Sequence, residues 1–521
     1  MRNSVSHSLR RFDSVFSLAP LGVAVALGTV LGRLVLAIAP AMPGWSRYKL
    51  VLFLLMGLVY LGMLVIGDVR RVWLVCLALA IPLNLAFAPL GKEVAYHAGG
   101  ASAGVTLYPY DFPLIALLAL SLLDTLAKRK PIQFSIIDVA AILLIIWTAL
   151  SIYNSSDIRL SVFELLRVTK LYLLARVVAG NVKRRQDMQD VLMALLIGLI
   201  LQSVIAALQN TIGLDLGLGT FTVGELNRVS GTVGWPNTFG AYAATILSVG
   251  VALWLFAVGG KFGILVMAAC GAGFVSLILS FSRGAWTSLL AGVVIILFLG
   301  WRAARINTRS LAKLTAIALS AAMVGMLFGS SIVTRLTEVH PGMDTLVDRM
   351  KLNQVALNMI AAQPLLGVGI NTFVDVMRQY DTTGVTYYFP QPVHNVYLLV
   401  AAETGLVGLG LFLLLMLMTF REGVQAAKTD DRFLSACAIA ILSGLVVLAV
   451  NNLADVHLRT DVLYALFWLL IGLAAAVKRM TRATFGGYDE NVVTRSEVGS
   501  GHQPHSSPSA RQLTGGEATR L

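Results

Sequence analysis

The feature that most constrains this chain is the recurrence, between residues 18 and 477, of charge-poor apolar windows about twenty residues long. An α-helix of that length crosses roughly 30 Å of hydrocarbon while satisfying its backbone N–H and C=O groups internally. About fourteen such windows are read along the chain, among them 18–40, 50–67, 72–90, 160–180, 191–213, 284–300 and 434–453. Together they make 57% of the 521 residues hydrophobic and leave only 13% charged, for a mean hydropathy of +0.79. A soluble domain cannot hide that much apolar surface. A β-barrel is excluded too, because barrel strands alternate in polarity rather than running continuously apolar. The expected fold class is an all-α polytopic membrane protein with about 12–14 transmembrane helices.

The net charge of +13 does not indicate a nucleic-acid partner, because the Lys and Arg residues lie between apolar windows, where the positive-inside rule puts them. With a cytoplasmic N-terminus and every window crossing, Arg70–Arg71, Lys128–Arg129–Lys130, Lys183–Arg184–Arg185, Arg302/Arg305/Arg309, Arg421/Lys428/Arg432 and Lys478/Arg479/Arg482 fall inside. Both termini are then cytoplasmic, and three polar segments, 91–108, 214–236 and 331–393, face outward. The first window follows Arg10 and Arg11 but is too long for a signal peptide, so an uncleaved anchor is expected. The window 160–180, interrupted by Arg167, Lys170 and Arg176, fits a crossing or an interfacial helix. Cys76, Cys270 and Cys437 sit in separate apolar windows without metal-ligand spacing and read as small core residues. The organisation expected is N-terminal transmembrane helices over 1–180, a catalytic membrane domain over 181–483 that includes the loop 331–393, and a disordered cytoplasmic tail over 484–521.

The chemistry gathers on the outward side. "NRVSGTVGWPNTFGAY" places Arg228 before a Gly-rich turn and Asn237 at the start of the next window; "SFSRGAW" places Arg283 between two windows with almost no loop. "TLVDRMKLNQVALNMIAAQPLLGVGINTF" has apolar residues at helical spacing and carries Arg349; "PQPVHNVYLLVAAETG" carries His394, Asn395 and, nine residues into the window, Glu403. A single arginine at a span end is usually a snorkelling anchor, and a lone histidine there is as often a packing residue as a catalytic one. Arg283 resists that reading, because an ionisable group near membrane depth is costly unless it serves a site. Several arginines at one lipid–water boundary suit a diphosphate, which guanidinium groups bind bidentately and whose developing charge as a leaving group they stabilise. A neutral imidazole beside them can accept a proton from an acceptor hydroxyl. His97, His340 and His457 also face outward, with no surrounding pattern that suggests a role.

The blocks "RVSGTVGWPNTFGAY", "SFSRGAW", "AAQPLLGVGINTF" and "HNVYLLVAAETGLVGL", in that order over roughly residues 190–475, resemble those of the O-antigen ligase / O-antigen polymerase family. The resemblance implies a bacterial inner-membrane glycosyltransferase that moves a glycan from undecaprenyl diphosphate to an acceptor hydroxyl, on a lipid or a glycan, at the periplasmic face. It implies His394 as the base that activates the acceptor, and Arg228, Arg283 and Arg349 as the diphosphate ligands, with no metal or cofactor. Asn237, Asn395 and Glu403 are expected to support them. The family often has a Trp a few residues after the loop arginine, where this chain reads Lys351, Leu352, Asn353, which keeps Arg335 as an alternative to Arg349. A flippase or transporter of lipid-linked oligosaccharide is the competing reading. It requires internal repeats and broken helices near mid-membrane, whereas here the halves lack self-similarity and the polar groups gather at one face.

Overall fold

The computed structural model of the protein describes residues 68–91, 104–128, 134–214, 221–223, 226–257, 260–327 and 346–498, with positions 329 and 333. The expected windows 18–40 and 50–67, with His97, Arg335, His340 and residues 499–521, lie outside the described residues. The described helices are α1 (Val69–Ala80), α2 (Asp111–Lys128), α3 (Ile136–Ser151), α4 (Ile158–Asn181), α5 (Arg185–Ile212), α6 (Pro236–Phe256), α7 (Gly260–Leu279), α8 (Arg283–Arg302), α9 (Thr308–Leu327), α10 (Leu346–Ala362), α11 (Phe373–Val376), α12 (Val396–Ala427), α13 (Arg432–Asn451) and α14 (Asp461–Val498). Two antiparallel hairpins join them, β1 (Phe87–Gly91) with β2 (Gly104–Leu107) and β3 (Phe221–Val223) with β4 (Leu226–Arg228).

Eight of these helices, α3, α5, α6, α7, α8, α12, α13 and α14, are long and apolar enough to cross a membrane. The chain is an all-α polytopic membrane protein. The expected window 72–90 departs from expectation: α1 stops at Ala80, because Pro82 offers no N–H to a further turn and its ring opposes one. The following residues form β1 instead. Charges keep α4 out of the eight, yet it packs along α14 with Glu164 and Arg167 buried. At the centre stand α6 and α13, whose most apolar stretches are 89% and 83% buried, against 33% for the peripheral α8.

The two ends of the bundle differ. At one, two ion pairs and a hydrogen bond knit short connections together: Arg184 with Asp68 at 2.7 Å, Arg185 with Asp431 at 3.3 Å, and Arg305 Nη2 donating to the Thr429 carbonyl at 2.6 Å. At the other end lie the longer segments, with α10 and α11 folded across them around a small core of their own that includes Leu352, Val355, Met359 and Phe373.

One spanning helix is broken. Within α12, Gly405 adopts φ 74° and ψ 177°, which interrupts the hydrogen-bond ladder. The segment after α10 fills the break: Val368 N–H donates to Ala402 O at 2.9 Å, Gly369 N–H to Glu403 O at 3.0 Å, and Leu406 N–H to Pro364 O at 2.8 Å. Trp147 Nε1 donates to Thr404 O at 2.9 Å from α3. Irregular backbone at this depth needs such partners, since lipid offers none. A Cβ on Gly405 would meet the Leu365 carbonyl, whereas one on Gly410 would meet open space. Gly405→Ala is therefore expected to destabilise by more than about 1 kcal/mol, read as a lower Tm of the detergent-solubilised protein, and Gly410→Ala to leave Tm unchanged or slightly raised. Equal Tm values for the two variants would show that the break is dispensable.

Candidate functional site

The turn between α13 and α14, residues 452–460, is where the sequence-expected site residues meet. Arg228, the last residue of β4, is only 8% exposed. Its Nε donates to Ser280 O at 3.0 Å and its Nη2 to Asn237 Oδ1 at 2.6 Å. Asn237, in the first turn of α6, donates through Nδ2 to Asp455 Oδ2 at 3.2 Å. Arg349, half-buried on α10, donates through Nη1 to Ala454 O at 2.6 Å. His394 precedes α12 by two residues, and the Val396 N–H beyond it donates to Asn452 O at 2.9 Å. Its ring stacks on Phe389 with centroids 6.0 Å apart. Arg283 opens α8, with Ser282 as the N-cap. Its neighbour Gly284 lies against Asn451, and Asn451 Nδ2 donates to Ser288 Oγ at 3.0 Å one turn further along α8. The Arg283 side chain is exposed and makes no hydrogen bond or ion pair among the described residues.

Two residues of this turn carry no motif and were missed. Asp455 reaches Asn237 and, at 3.8 Å, His457 Nε2. Burial raises the Asp455 carboxyl, but the neighbouring His457, His394 and Arg349 outweigh it and hold its pKa below the usual carboxylate range. His457, 2% exposed, pairs through Nε2 with Asn451 Oδ1 at 2.8 Å. Burial keeps its pKa below the ordinary histidine value, with Arg349 and His394 adding to the effect and Asp455 opposing it. The site therefore presents a carboxylate among imidazoles and guanidiniums. The sequence signal for Asp455 was its place in a short connection between two apolar windows, a place it shares with many unremarkable loop acids.

Two expected residues have other duties. Asn395 is the N-cap of α12, its Oδ1 accepting from Tyr397 and Leu398 N–H at 2.9 and 3.1 Å. Glu403, 2% exposed, is ion-paired with Arg459 and accepts from Phe373 N–H at 3.3 Å. Arg459 also donates to Asn371 Oδ1 at 3.0 Å, so one guanidinium ties the break in α12 and the segment filling it to the 452–460 turn. Arg167 of α4 grips the same turn from below, donating to Arg459 O at 3.0 Å, Leu458 O at 3.3 Å and Glu164 Oε1 at 3.0 Å.

The approach to His394 is braced separately. Asp381 accepts from the N–H groups of Thr383, Gly384 and Thr386 at 2.7–3.0 Å and from the hydroxyls of Thr383 and Thr386 at 2.8 Å. Although partial burial pushes its pKa upward, the bonds from Thr386 and Thr383 prevail and bring it down to about 2.

A membrane bundle with arginines, imidazoles and one carboxylate converging on the turn at one end is the class of protein these features define. Residues 268–413 match the family model described as O-antigen ligase, the family whose blocks the sequence resembles. The match implies an O-antigen ligase-type function in cell-surface polysaccharide synthesis. It takes in Arg283, Arg349, His394, Asn395 and Glu403, while Arg228, Asn237, Asp455 and His457 lie beside it. No curated protein matches the chain.

Removing either member of the buried Arg459–Glu403 pair strands the other, so Arg459→Ala and Glu403→Ala are each expected to cost about 3–5 kcal/mol. The double substitution to leucine is expected to cost less than the sum of the two, measured by denaturation in detergent. Additive costs would show that the pair does not couple the turn to the break. For Asp381 the depressed folded-state pKa means that its contribution is full above about pH 4 and is lost as pH falls towards about 2. Hydrogen exchange of the Thr383 and Thr386 amides should accelerate relative to their intrinsic rates in that window. In Asp381→Asn the acceleration should be absent, the amides being fast-exchanging throughout.

Proposed function

We propose that the protein is a glycosyltransferase of the bacterial inner membrane, with its site at the periplasmic face, moving a glycan from undecaprenyl diphosphate to an acceptor hydroxyl. The observation that carries this reading is the gathering of His394, Arg349, Arg228 and the first turn of α8, which begins with Arg283, around residues 451–457. The acceptor is a lipid A-core sugar if the protein is a ligase, or a lipid-linked repeat unit if it is a polymerase.

The acceptor oxygen attacks the anomeric carbon from the face opposite the diphosphate, and the hydroxyl proton passes to a ring nitrogen of His394. The bond between the anomeric carbon and the phosphate oxygen breaks, and polyprenyl diphosphate leaves with the electron pair, so the configuration inverts. Arg283, exposed and unengaged among the described residues, and Arg349, which uses one Nη on Ala454 O, meet the diphosphate oxygens as charge develops on them. Arg228 contributes its positive charge from a buried position while its Nη2 orients Asn237. Asp455, anionic among these cations, stabilises the imidazolium that forms on His394.

With purified protein, lipid-linked donor and acceptor in detergent and no gradient, His394→Ala should reduce transfer by about 10²–10⁴-fold while expression and donor binding persist. Near-normal transfer by that variant would remove His394 from the reaction. Arg283→Lys should impair turnover, because an ammonium cannot reproduce two parallel guanidinium bonds to phosphate, and a wild-type rate would mean that Arg283 does not touch the diphosphate. In the cell, a deletion that removes polymer from its lipid anchor indicates a ligase, and one that accumulates single repeat units indicates a polymerase.

A further inference from the structure

Next to the site, the described surface carries two exposed tyrosines on an unusually well-braced loop. Tyr387 is 73% exposed and Tyr388 58%, although Tyr387 closes, and Tyr388 follows, the 3-10 turn Val385–Tyr387 that Asp381 braces with its five hydrogen bonds. Gly384, at φ 75°, sets the turn's entry. Each ring has a cation near it: Lys351 Nζ lies 5.5 Å from the Tyr388 centroid, on its hydroxyl side, and Arg378 Cζ 5.6 Å from that of Tyr387. The Tyr388 hydroxyl accepts from Lys351 at 2.9 Å and donates to Asp348 Oδ1 at 2.9 Å, which holds the ring upright. Nothing in the proposed transfer uses these residues.

We infer that Tyr387 and Tyr388, with Lys351, Arg378 and Asp348 around them, form a saccharide-binding surface that holds the glycan beyond the reacting sugar. The inference rests on the glycosyltransferase reading and deepens it. The chemistry of the patch fits a pyranose chain: flat aromatic faces for the apolar C–H side of a ring, and fixed donors and acceptors beside them for its hydroxyl rim. Two cations set against Asp348 and Asp381 leave the patch close to neutral, which disfavours a polyanion. Continuity with the site names the occupant. Phe389, the residue after Tyr388, stacks on His394, and Asp348, which accepts from the Tyr388 hydroxyl, is next to Arg349 on α10, so a glycan leaving the site along this side runs over the tyrosines. Their rigid presentation removes ordering cost from the encounter, which explains why a surface loop spends a five-bond aspartate on its own shape.

The test uses the full-length protein in detergent with two donors, undecaprenyl diphosphate bearing one N-acetylhexosamine and the same lipid bearing the host's complete polysaccharide. Tyr387→Ala/Tyr388→Ala should raise KM for the long donor about tenfold, leaving kcat and the KM of the one-sugar donor unchanged. Tyr388→Phe, which keeps the ring, should stay near wild type. Equal effects on both donors, or none on either, overturn the inference. Calorimetry with lipid-free host polysaccharide separates this from the parent reading: the wild type should bind and the double variant should not, even if no transfer occurs with either donor. Wild-type protein that fails to bind the free polysaccharide also overturns it.

Discussion

The site end of this protein depends on how irregular backbone is kept satisfied where a membrane bundle meets its surface. Carbonyls in and near a spanning segment have no water to fall back on, so each needs a built partner. In the turn 452–460, Asn452 O takes the Val396 N–H, Ala454 O takes Arg349, and Leu458 O and Arg459 O both take Arg167. Four carbonyls are thus claimed by α12, α10 and α4, and the same residues carry Asp455 and His457. The bonds that satisfy the turn are also the bonds that bring the functional groups together.

The break in α12 obeys the same rule. Gly405 turns the chain out of the helix, and the backbone of residues 364–369 supplies the missing partners. The charge buried there is balanced within a few ångströms, since Glu403 meets Arg459 while Arg167 meets Glu164 and, at 3.5 Å, Asp461. Such networks are poor sources of net stability but are intolerant of losing one member. A network of this kind fixes a geometry more than it strengthens a fold. Here the geometry is the position of the first turn of α12, and so of His394, relative to the 452–460 turn.

Periodicity made the spanning helices legible, because twenty apolar residues have few other uses. It misjudged 72–90, where the apolar run continues but Pro82 does not permit the helix to. Residue type made Arg228, Arg283, Arg349 and His394 legible, since arginines gathered on the outward side run against the positive-inside bias. Their partners were not legible. Glu403 was visible as a buried acid, but its mate Arg459 lies 56 positions away, and nothing in either local sequence names the other. Asp455 acquires its character from His457 in its own turn and from neighbours contributed by α6, α10 and the His394 segment. Long-range pairing of single residues leaves no periodic trace, so sequence reasoning found Glu403 and the cations that a substrate would need and missed Asp455 and Arg459, which hold the turn together.

Four arginines of this end, Arg228, Arg283, Arg349 and Arg459, divide by what surrounds them. Arg228 and Arg459 are buried and spend their donors on carbonyl, amide and carboxylate oxygens of the protein. Arg349 uses one Nη on the turn, and the exposed Arg283 uses none among the described residues. A guanidinium keeps its charge in every one of these settings, so the buried pair raises the local potential from within while the outer pair carries its charge nearer the surface. The stretch matching the O-antigen ligase family holds both outer arginines and His394, yet Arg228, Asp455 and Arg459 belong to flanking elements. The matched stretch cannot make this site alone. Val396, Arg349 and Glu403 are held in place by residues 452–459, and without those partners the first turn of α12, which His394 precedes by two residues, loses its attachment to that turn.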